Sequence, residues 1–332
     1  MGCIVYILIR LGKFILKLRN KFNVSLNKNL NYGPKGISIT MQTTKIKIID
    51  GLQAINPKYD AFIIDLWGVI HDGFIAYPGT VDRINHLISI NKPIIFMSNA
   101  PRPNKIVLQK LLDLRINATS DMVLTSGDAT RLFLKEELIK MPSKKYYHLG
   151  AHRNSDLLAD IDLHLVDDIS QADSILLTAY IDENEDLEQF DHILKQAAML
   201  QLHVICPNPD KIVINGNKNR YCAGFLAEKY EQLGGKVHYY GKPHVAIYNI
   251  ALEYLQSLGI YNKDRILMIG DTLETDIQGA ANVGIKSTLV LTGNTGNLLK
   301  NHQYTQIFQE QALENLFHEY NLFPDHILKS LN

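Results

Sequence analysis

Cysteine is scarce. The 332-residue chain carries 3, at Cys3, Cys206 and Cys222. They show neither the paired spacing of a zinc site nor the density of a disulfide framework, which fits a reducing compartment such as the cytoplasm. Long uncharged apolar runs are also missing. A spanning helix needs ~20 consecutive, mostly uncharged residues, and the most apolar stretch, residues 3–18, is broken by Arg10, Lys13 and Lys17. Acidic residues are absent from residues 1–49, which hold nine Lys and Arg. The rest of the chain keeps 25 basic against 34 acidic side chains, so the net charge of zero hides a body with a balance of −9. Affinity for a phosphate backbone comes from positive charge, so nucleic acid is excluded as a general partner. No internal repeat or low-complexity segment is present.

Three readings stay open for the basic head. Arg10, Lys13, Lys17 and Lys21 fall on one stripe at helical spacing. That pattern suits an amphipathic helix making weak membrane contact through residues 4–21. Arg-rich, acid-poor segments also serve as organelle presequences. The third reading is an extension, residues 1–41, outside the fold, with Met41 as the functional start. No catalytic assignment rests on this region.

A length of 332 residues favours two domains, and 46% apolar with 20% charged residues is the balance of a globular protein with a large core. Strand-like runs at 61–65, 93–98, 121–125, 266–270 and 286–291 alternate with helical patterns at 80–90, 103–114, 127–140, 244–257 and 274–283. Such alternation predicts a doubly wound parallel sheet with crossover helices. The middle repeats the alternation by itself, with strands near 146–150, 164–168, 174–180 and 203–208 and helices at 152–160, 184–200 and 221–233. We therefore expect an α/β core from residues 42–130 and 236–332, interrupted by an inserted α/β cap domain, 131–235. The last 18 residues are expected to form a terminal helix ended or kinked at Pro324.

Four elements carry chemistry. The run AFIID ends at Asp65, and a carboxylate at the carboxyl end of a buried strand points into the crevice where open α/β sheets bind ligands. Gly68 follows, letting the backbone turn sharply and bring its N–H groups to an anion. A carboxylate there can act as a nucleophile toward phosphorus or simply cap a turn. Ser98 and Asn99 end the second strand, where they can donate to phosphate oxygens or serve as a helix N-cap. Lys242, in YYGKPH, can neutralise a phosphate. Pro243 would open the next helix. Finally, Asp271 ends a strand and Asp276 lies five residues on, near a helix start that favours acids. Carboxylates are the ligands Mg²⁺ prefers, with water and phosphate oxygens completing its shell.

In this order the four elements resemble the haloacid dehalogenase-like (HAD) superfamily. TSGDAT (125–130), CPNPD (206–210) and GDTLETDIQGAANVGI resemble its class IIA, NagD-like branch over roughly residues 45–300. The resemblance implies a Mg²⁺-dependent phosphomonoesterase for a small phosphorylated metabolite, a sugar phosphate or nucleotide monophosphate, acting through a phospho-aspartate. It makes Asp65 the nucleophile and a metal ligand, with the Trp67 backbone carbonyl, Asp271 and Asp276 as the other metal-binding groups. Ser98, Asn99 and Gly68 would bind the phosphoryl group, and Lys242 would pair with it and with Asp65. Asn208 and Asp210 are candidates at the cap–core junction, as are Ser126, Gly127 and Asp128. Association through the cap would give a homo-oligomer.

One departure matters. The family pattern has a second Asp two residues after the nucleophile, as general acid and base, and this chain has Trp67. Indole cannot serve, and such help contributes about 10²–10⁴-fold. The change implies slow turnover, a leaving group needing little protonation, or a substitute donor, for which His71 and Asp72 on the next loop are candidates. The same HDG also reads as a tight turn. The rival reading is a non-catalytic phosphometabolite sensor.

Overall fold

A computed structural model describes residues 47–332 apart from 151, 159, 183, 216–217 and 302–305. The three readings of residues 1–41 lie outside the described residues.

The first half of the core comprises β1 (Ile48–Ile49), β2 (Ala61–Asp65), α1 (Thr80–Ser89), β3 (Ile94–Ser98), α2 (Asn104–Asp113), β4 (Val123–Thr125) and α3 (Ser126–Lys140). The inserted stretch follows, with β5 (Lys145–Gly150), β6 (His164–Val166), β7 (Ser174–Thr178), β8 (Tyr180–Asp182), α4 (Glu188–Met199), β9 (His203–Cys206), β10 (Ile212–Asn215), β11 (Lys218–Cys222), α5 (Ala223–Gln232) and β12 (Lys236–Tyr239). The chain then returns to the core with α6 (Val245–Ser257), β13 (Ile266–Gly270), α7 (Gln278–Val283), β14 (Lys286–Val290), α8 (Asn294–Asn301), α9 (Gln306–Tyr320) and β15 (His326–Leu328).

The core sheet has seven strands in the order β1-β15-β14-β13-β2-β3-β4, all parallel. Its central strands are apolar on both faces because helices cover both. Phe62, Ile64, Phe96, Leu267 and Ile269 pack on one side with Ile84 and Leu87 of α1 and Leu111 of α2. The alternate residues Ile63, Ile95, Met97 and Met268 pack on the other with Ala129, Ile247, Tyr248, Ala251 and Ala280. This period of two follows from the pleat. Gly279 lets α7 approach α6, since a Cβ there would lie 2.3 Å from the Tyr248 ring.

The insert builds two sheets of its own. Five parallel strands run in the order β12-β9-β7-β5-β6, and β10-β11-β8 form an antiparallel ribbon. Leu194 and Ala197 of α4 and Leu226, Ala227 and Tyr230 of α5 close the insert's core.

Three details differ from the sequence reading. Residues 236–239, assigned to the core segment with no strand expected there, form a strand that pairs with β9 and so belongs to the insert's sheet. The chain end does not form one helix. After α9 the residues past Pro324 form β15, a parallel partner of β14 and β1, and Asp325 accepts a 2.9 Å bond from the Ser287 amide to set that register. Strands of two and three residues are too short to show periodicity, which is why the sequence predicts five core strands instead of seven. Pro243 also precedes α6 without opening it, since His244 occupies the cap position.

Candidate functional site

The four elements named from sequence converge at the carboxyl ends of adjacent strands. Asp65 ends β2, Ser98 ends β3, and Asp271 follows β13, the strand paired with β2 on its other side. A cleft of about 950 Å³ opens there between core and insert, lined by Asp65, Trp67, Ser98, Asn99, Lys242 and Asp271 among others.

At its floor, Asp65, Asp271 and Asp276 are all buried, with a ligand oxygen from each within 4.8 Å of the others. Lys242 is 3% exposed; its Nζ donates to Asp65 Oδ1 and, at 2.7 Å, to Asp276 Oδ1. Burial opposes the lysine's charge, but Asp276 and Asp65 outweigh it and hold the ammonium above its ordinary pKa. One cation among three acids leaves negative charge uncompensated. Burial first, and then repulsion from Asp276, raises the Asp271 carboxyl to about 7. Burial likewise raises Asp65, against the attraction of Lys242. A divalent ion would offset that charge, and an all-oxygen donor set suits a hard cation. The residues present therefore fit a divalent metal.

Local backbone design makes the cluster. Gly68 has φ +87°, and a Cβ there would lie 2.3 Å from Asp271 Oδ2. Only glycine meets both demands. Asp271 is held by the Asn294 amide at Oδ2 and by the Thr272 hydroxyl at 3.1 Å, while Thr295 Oγ1 donates to its carbonyl at 2.7 Å. Asp276 sits in a π-helical turn, Leu273–Ile277, ahead of α7, not in an ordinary first helical turn. Such turns re-aim side chains, and here Asp276 Oδ2 accepts from the Thr272 amide at 3.2 Å while Oδ1 faces Lys242.

Ser98 lines the cleft and its Oγ accepts from the Ala100 amide at 3.2 Å, a bond that uses a lone pair and not the hydroxyl proton. Asn99 departs from its expected role. Its Nδ2 donates to Asp210 Oδ1 at 2.8 Å and to the Lys242 carbonyl at 3.1 Å, and its Oδ1 accepts from the Lys242 amide at 2.7 Å. The side chain is thus committed to protein partners instead of a phosphate. Asp210 is likewise turned to Asn99, and Asn208 Oδ1 accepts from the Asp210 amide at 3.0 Å. Asn208 and Asp210 both line the cleft from the insert, as expected of a junction.

The two stand-in acids are turn residues. His71 is buried, its Nδ1 accepts from the Gly73 amide at 2.9 Å, and burial lowers its pKa to about 4. Asp72 is exposed and its Oδ1 accepts from the Phe74 and Ile75 amides, both at 2.9 Å. Neither lines the cleft. Trp67 does, and at 39% exposure it rests edge-to-face on His71 with centroids 5.6 Å apart. Thr125 and Asp128 form a capping box at the start of α3, so Asp128 is a structural acid. Cys206 and Cys222 are buried, and burial pushes the Cys206 thiol up, away from reactivity. Sequence reasoning does not single out Thr272, Thr292 and Asn294. Each acts through a bond to a site residue or its backbone, Thr292 through the Gly68 carbonyl at 2.5 Å, and nothing in a lone Thr or Asn signals that.

Comparison with known proteins agrees with this geometry. Two family models match, one described as haloacid dehalogenase-like hydrolase over residues 62–164 and one as HAD-hydrolase-like over 239–331. The first runs from the core into the start of the insert, and the second begins where the insert ends. The solved structure of a haloacid dehalogenase-like hydrolase from Brucella suis 1330 is 33% identical, covering 73% of this chain and 89% of that one with a TM-score of 0.66. An acid sugar phosphatase from Staphylococcus epidermidis is 28% identical over 71% of this chain and 87% of its own length. A p-nitrophenyl phosphatase from Archaeoglobus fulgidus shares the fold at 24% identity and a TM-score of 0.65, covering 82% of this chain and 97% of that one. The chain belongs to the haloacid dehalogenase-like hydrolase family, in its class IIA branch. Within it the chain is a phosphatase, and the comparisons do not favour the sensor.

Proposed function

We propose that the chain is a Mg²⁺-dependent phosphomonoesterase that works through a phospho-aspartate on Asp65. The observation that carries this reading is Lys242 Nζ bridging Asp65 and Asp276, with Asp271 completing a buried acidic cluster at the ends of the central strands. A lysine so placed favours the ionised form of Asp65 against the opposing effect of burial and can meet an incoming phosphoryl oxygen. Asp65, Asp271 and Asp276, with the Trp67 carbonyl, would hold Mg²⁺, which supplies charge neutralisation when bound. A carboxylate oxygen of Asp65 attacks phosphorus, the O–P bond forms, and the bond from phosphorus to the ester oxygen breaks with its electron pair leaving on that oxygen. Ser98 donates its hydroxyl proton to the phosphoryl group in a hydrogen bond. Water then attacks the phospho-aspartate, releasing phosphate and restoring Asp65.

The substrate in this reading is a small organic monophosphate, a sugar phosphate or a nucleotide monophosphate. Support comes from the names of relatives, acid sugar phosphatases from Staphylococcus species. The insert, roughly residues 131–235 with the strand through Tyr239, acts as a cap. It supplies Asn208, Asp210 and Tyr239 to the cleft wall and limits access to small substrates. The cytoplasm is the compartment this chemistry suits, and among the described residues no helix is long and apolar enough to cross a membrane. With Trp67 where the family places its acid, leaving groups that depart without a proton are favoured.

The test is phosphate release from p-nitrophenyl phosphate and a panel of sugar and nucleotide monophosphates, with Mg²⁺ or EDTA. Release that disappears with EDTA and in Asp65→Asn supports the reading. No release from any member, or undiminished release by Asp65→Asn, overturns it.

A further inference from the structure

Among the described residues, Lys242 is the one ammonium held by the buried acids of the cleft floor, so its position decides how that cluster works. Its side chain is held by Asp65 and Asp276, but its backbone is held by Asn99, whose amide bonds both the Lys242 N–H and C=O at 2.7 and 3.1 Å. The same Asn99 Nδ2 carries a second bond, 2.8 Å, to Asp210 Oδ1. Asp210 lies 111 residues away on the loop after β9, in the insert, and is anchored there. Its amide donates to Asn208 Oδ1 at 3.0 Å and its carbonyl accepts from the Gly224 amide at 3.2 Å. The loop sits tightly on both sides. A Cβ on Gly241 would lie 2.5 Å from Asn99 Oδ1 and from Pro209 Cδ, and one on Gly224 would lie 2.0 Å from the Pro209 carbonyl oxygen.

We infer that Asp210 is a positioning residue of the insert, which fixes the Asn99 amide and through it the backbone of Lys242. This rests on the phosphatase reading above only for what Lys242 then does. The Lys242 N–H and C=O already set which end of the Asn99 amide faces them, and the bond from Nδ2 to Asp210 ties that oriented amide to the insert. Without Asp210, Asn99 and the Lys242 backbone stay bonded to each other but lose their anchor on the insert, so the pair can shift together. Because Asp210 belongs to the insert and Lys242 to the core site, docking of the insert and registration of the lysine become one event.

Three variants and two readouts test this. Asp210→Ala removes the acceptor, Asp210→Asn keeps an oxygen that can accept from Asn99 Nδ2, and Asn99→Ala removes the relay. Misplacing a catalytic group by about 1 Å costs up to ~10²-fold, so Asp210→Ala is expected to lower kcat on p-nitrophenyl phosphate ~10–100-fold with KM within ~3-fold. Asp210→Asn should recover most of that loss, and the double variant Asp210→Ala/Asn99→Ala should be no slower than the slower single variant. If Asp210→Ala fails to fold, Asp210→Ser, too short to reach Asn99, makes the same comparison. The second readout needs no turnover. Trinitrobenzenesulfonate labelling of Lys242, followed by mass spectrometry, should rise about tenfold in Asp210→Ala, the effect of losing a bond to a charged group. Unchanged kcat, an effect confined to KM, additive losses, or unchanged labelling each overturn the inference. Asp210→Asn as slow as Asp210→Ala overturns it as well, and would make Asp210 a proton donor. Absence of turnover in the wild type would instead sink the phosphatase reading, leaving the labelling to judge the lysine's support.

Discussion

Trp67→Asp restores the carboxyl that the family pattern has two residues after the nucleophile. The indole it removes is 39% exposed, packs on His71 at 5.6 Å, and covers Gly73, where a Cβ would lie 2.5 Å from its ring. Losing one edge-to-face pair costs about 0.5–1.5 kcal/mol, which the fold should tolerate. The new acid would stand beside Asp65 and Asp271, both already raised by burial and by repulsion from Asp276. A carboxyl added there is pushed up as well, toward the range a general acid needs. The gain depends on the leaving group. A sugar alkoxide needs a proton as it departs, so its ester should gain about 10²-fold or more in kcat/KM, the low end of general acid catalysis. p-Nitrophenolate departs unprotonated, so its ester should change by no more than ~3-fold. The assay is kcat/KM for p-nitrophenyl phosphate and for glycerol phosphate, from about pH 5 to 8 with Mg²⁺, with Trp67→Asn as the control of equal size. Equal factors on both esters would refute the reasoning, as would an asparagine variant that matches the aspartate.

Metal and pH should be linked with a definite sign. Asp271 rises from 3.8 when unfolded to about 7 when folded, chiefly by burial. A raised carboxyl favours the folded state at low pH, so the metal-free protein should lose stability as pH climbs from about 4 through 7. Mg²⁺ binds the ionised cluster, so the rise in Tm on replacing EDTA with Mg²⁺ should be larger at about pH 8 than at about pH 5. Equal rises at both would count against the cluster as the metal site. Asp72→Ala should cost about 1 kcal/mol by unfolding, as for loss of a local side-chain cap, with turnover within ~3-fold of wild type; a loss of turnover beyond ~10-fold would return Asp72 to catalysis.

The parallel core is legible because burial on both faces forces it into the sequence. Residues 61–65 and 266–270 are continuous apolar runs; the first ends at Asp65, and the second is followed at once by Asp271. The short strands Ile48–Ile49, at the sheet edge, and His326–Leu328, next to it, carry no such signal, and the second takes its register from a tertiary bond, Asp325 to the Ser287 amide. The ribbon of β8, β10 and β11 escapes a sequence reading because its alternation is spread over three short strands that meet only in space.

The site divides along a similar line. Residues whose chemistry depends on type and strand-end position, namely Asp65, Lys242, Asp271 and Asp276, are brought together where the sequence pattern places them. Residues whose role depends on hydrogen-bond direction are not readable in that way. Asn99 has donors enough for a phosphate, yet its amide is spent on Lys242 and Asp210. His71 has an imidazole suited to proton transfer, yet its Nδ1 is held by the Gly73 amide and burial keeps it neutral down to about pH 4. Both cases follow one physical rule: a buried polar group must find partners, and the nearest backbone satisfies that need before any substrate arrives. The acid missing at Trp67 is therefore not supplied by its own loop, and any replacement must reach the leaving group from the opposite wall of the cleft or from the substrate itself.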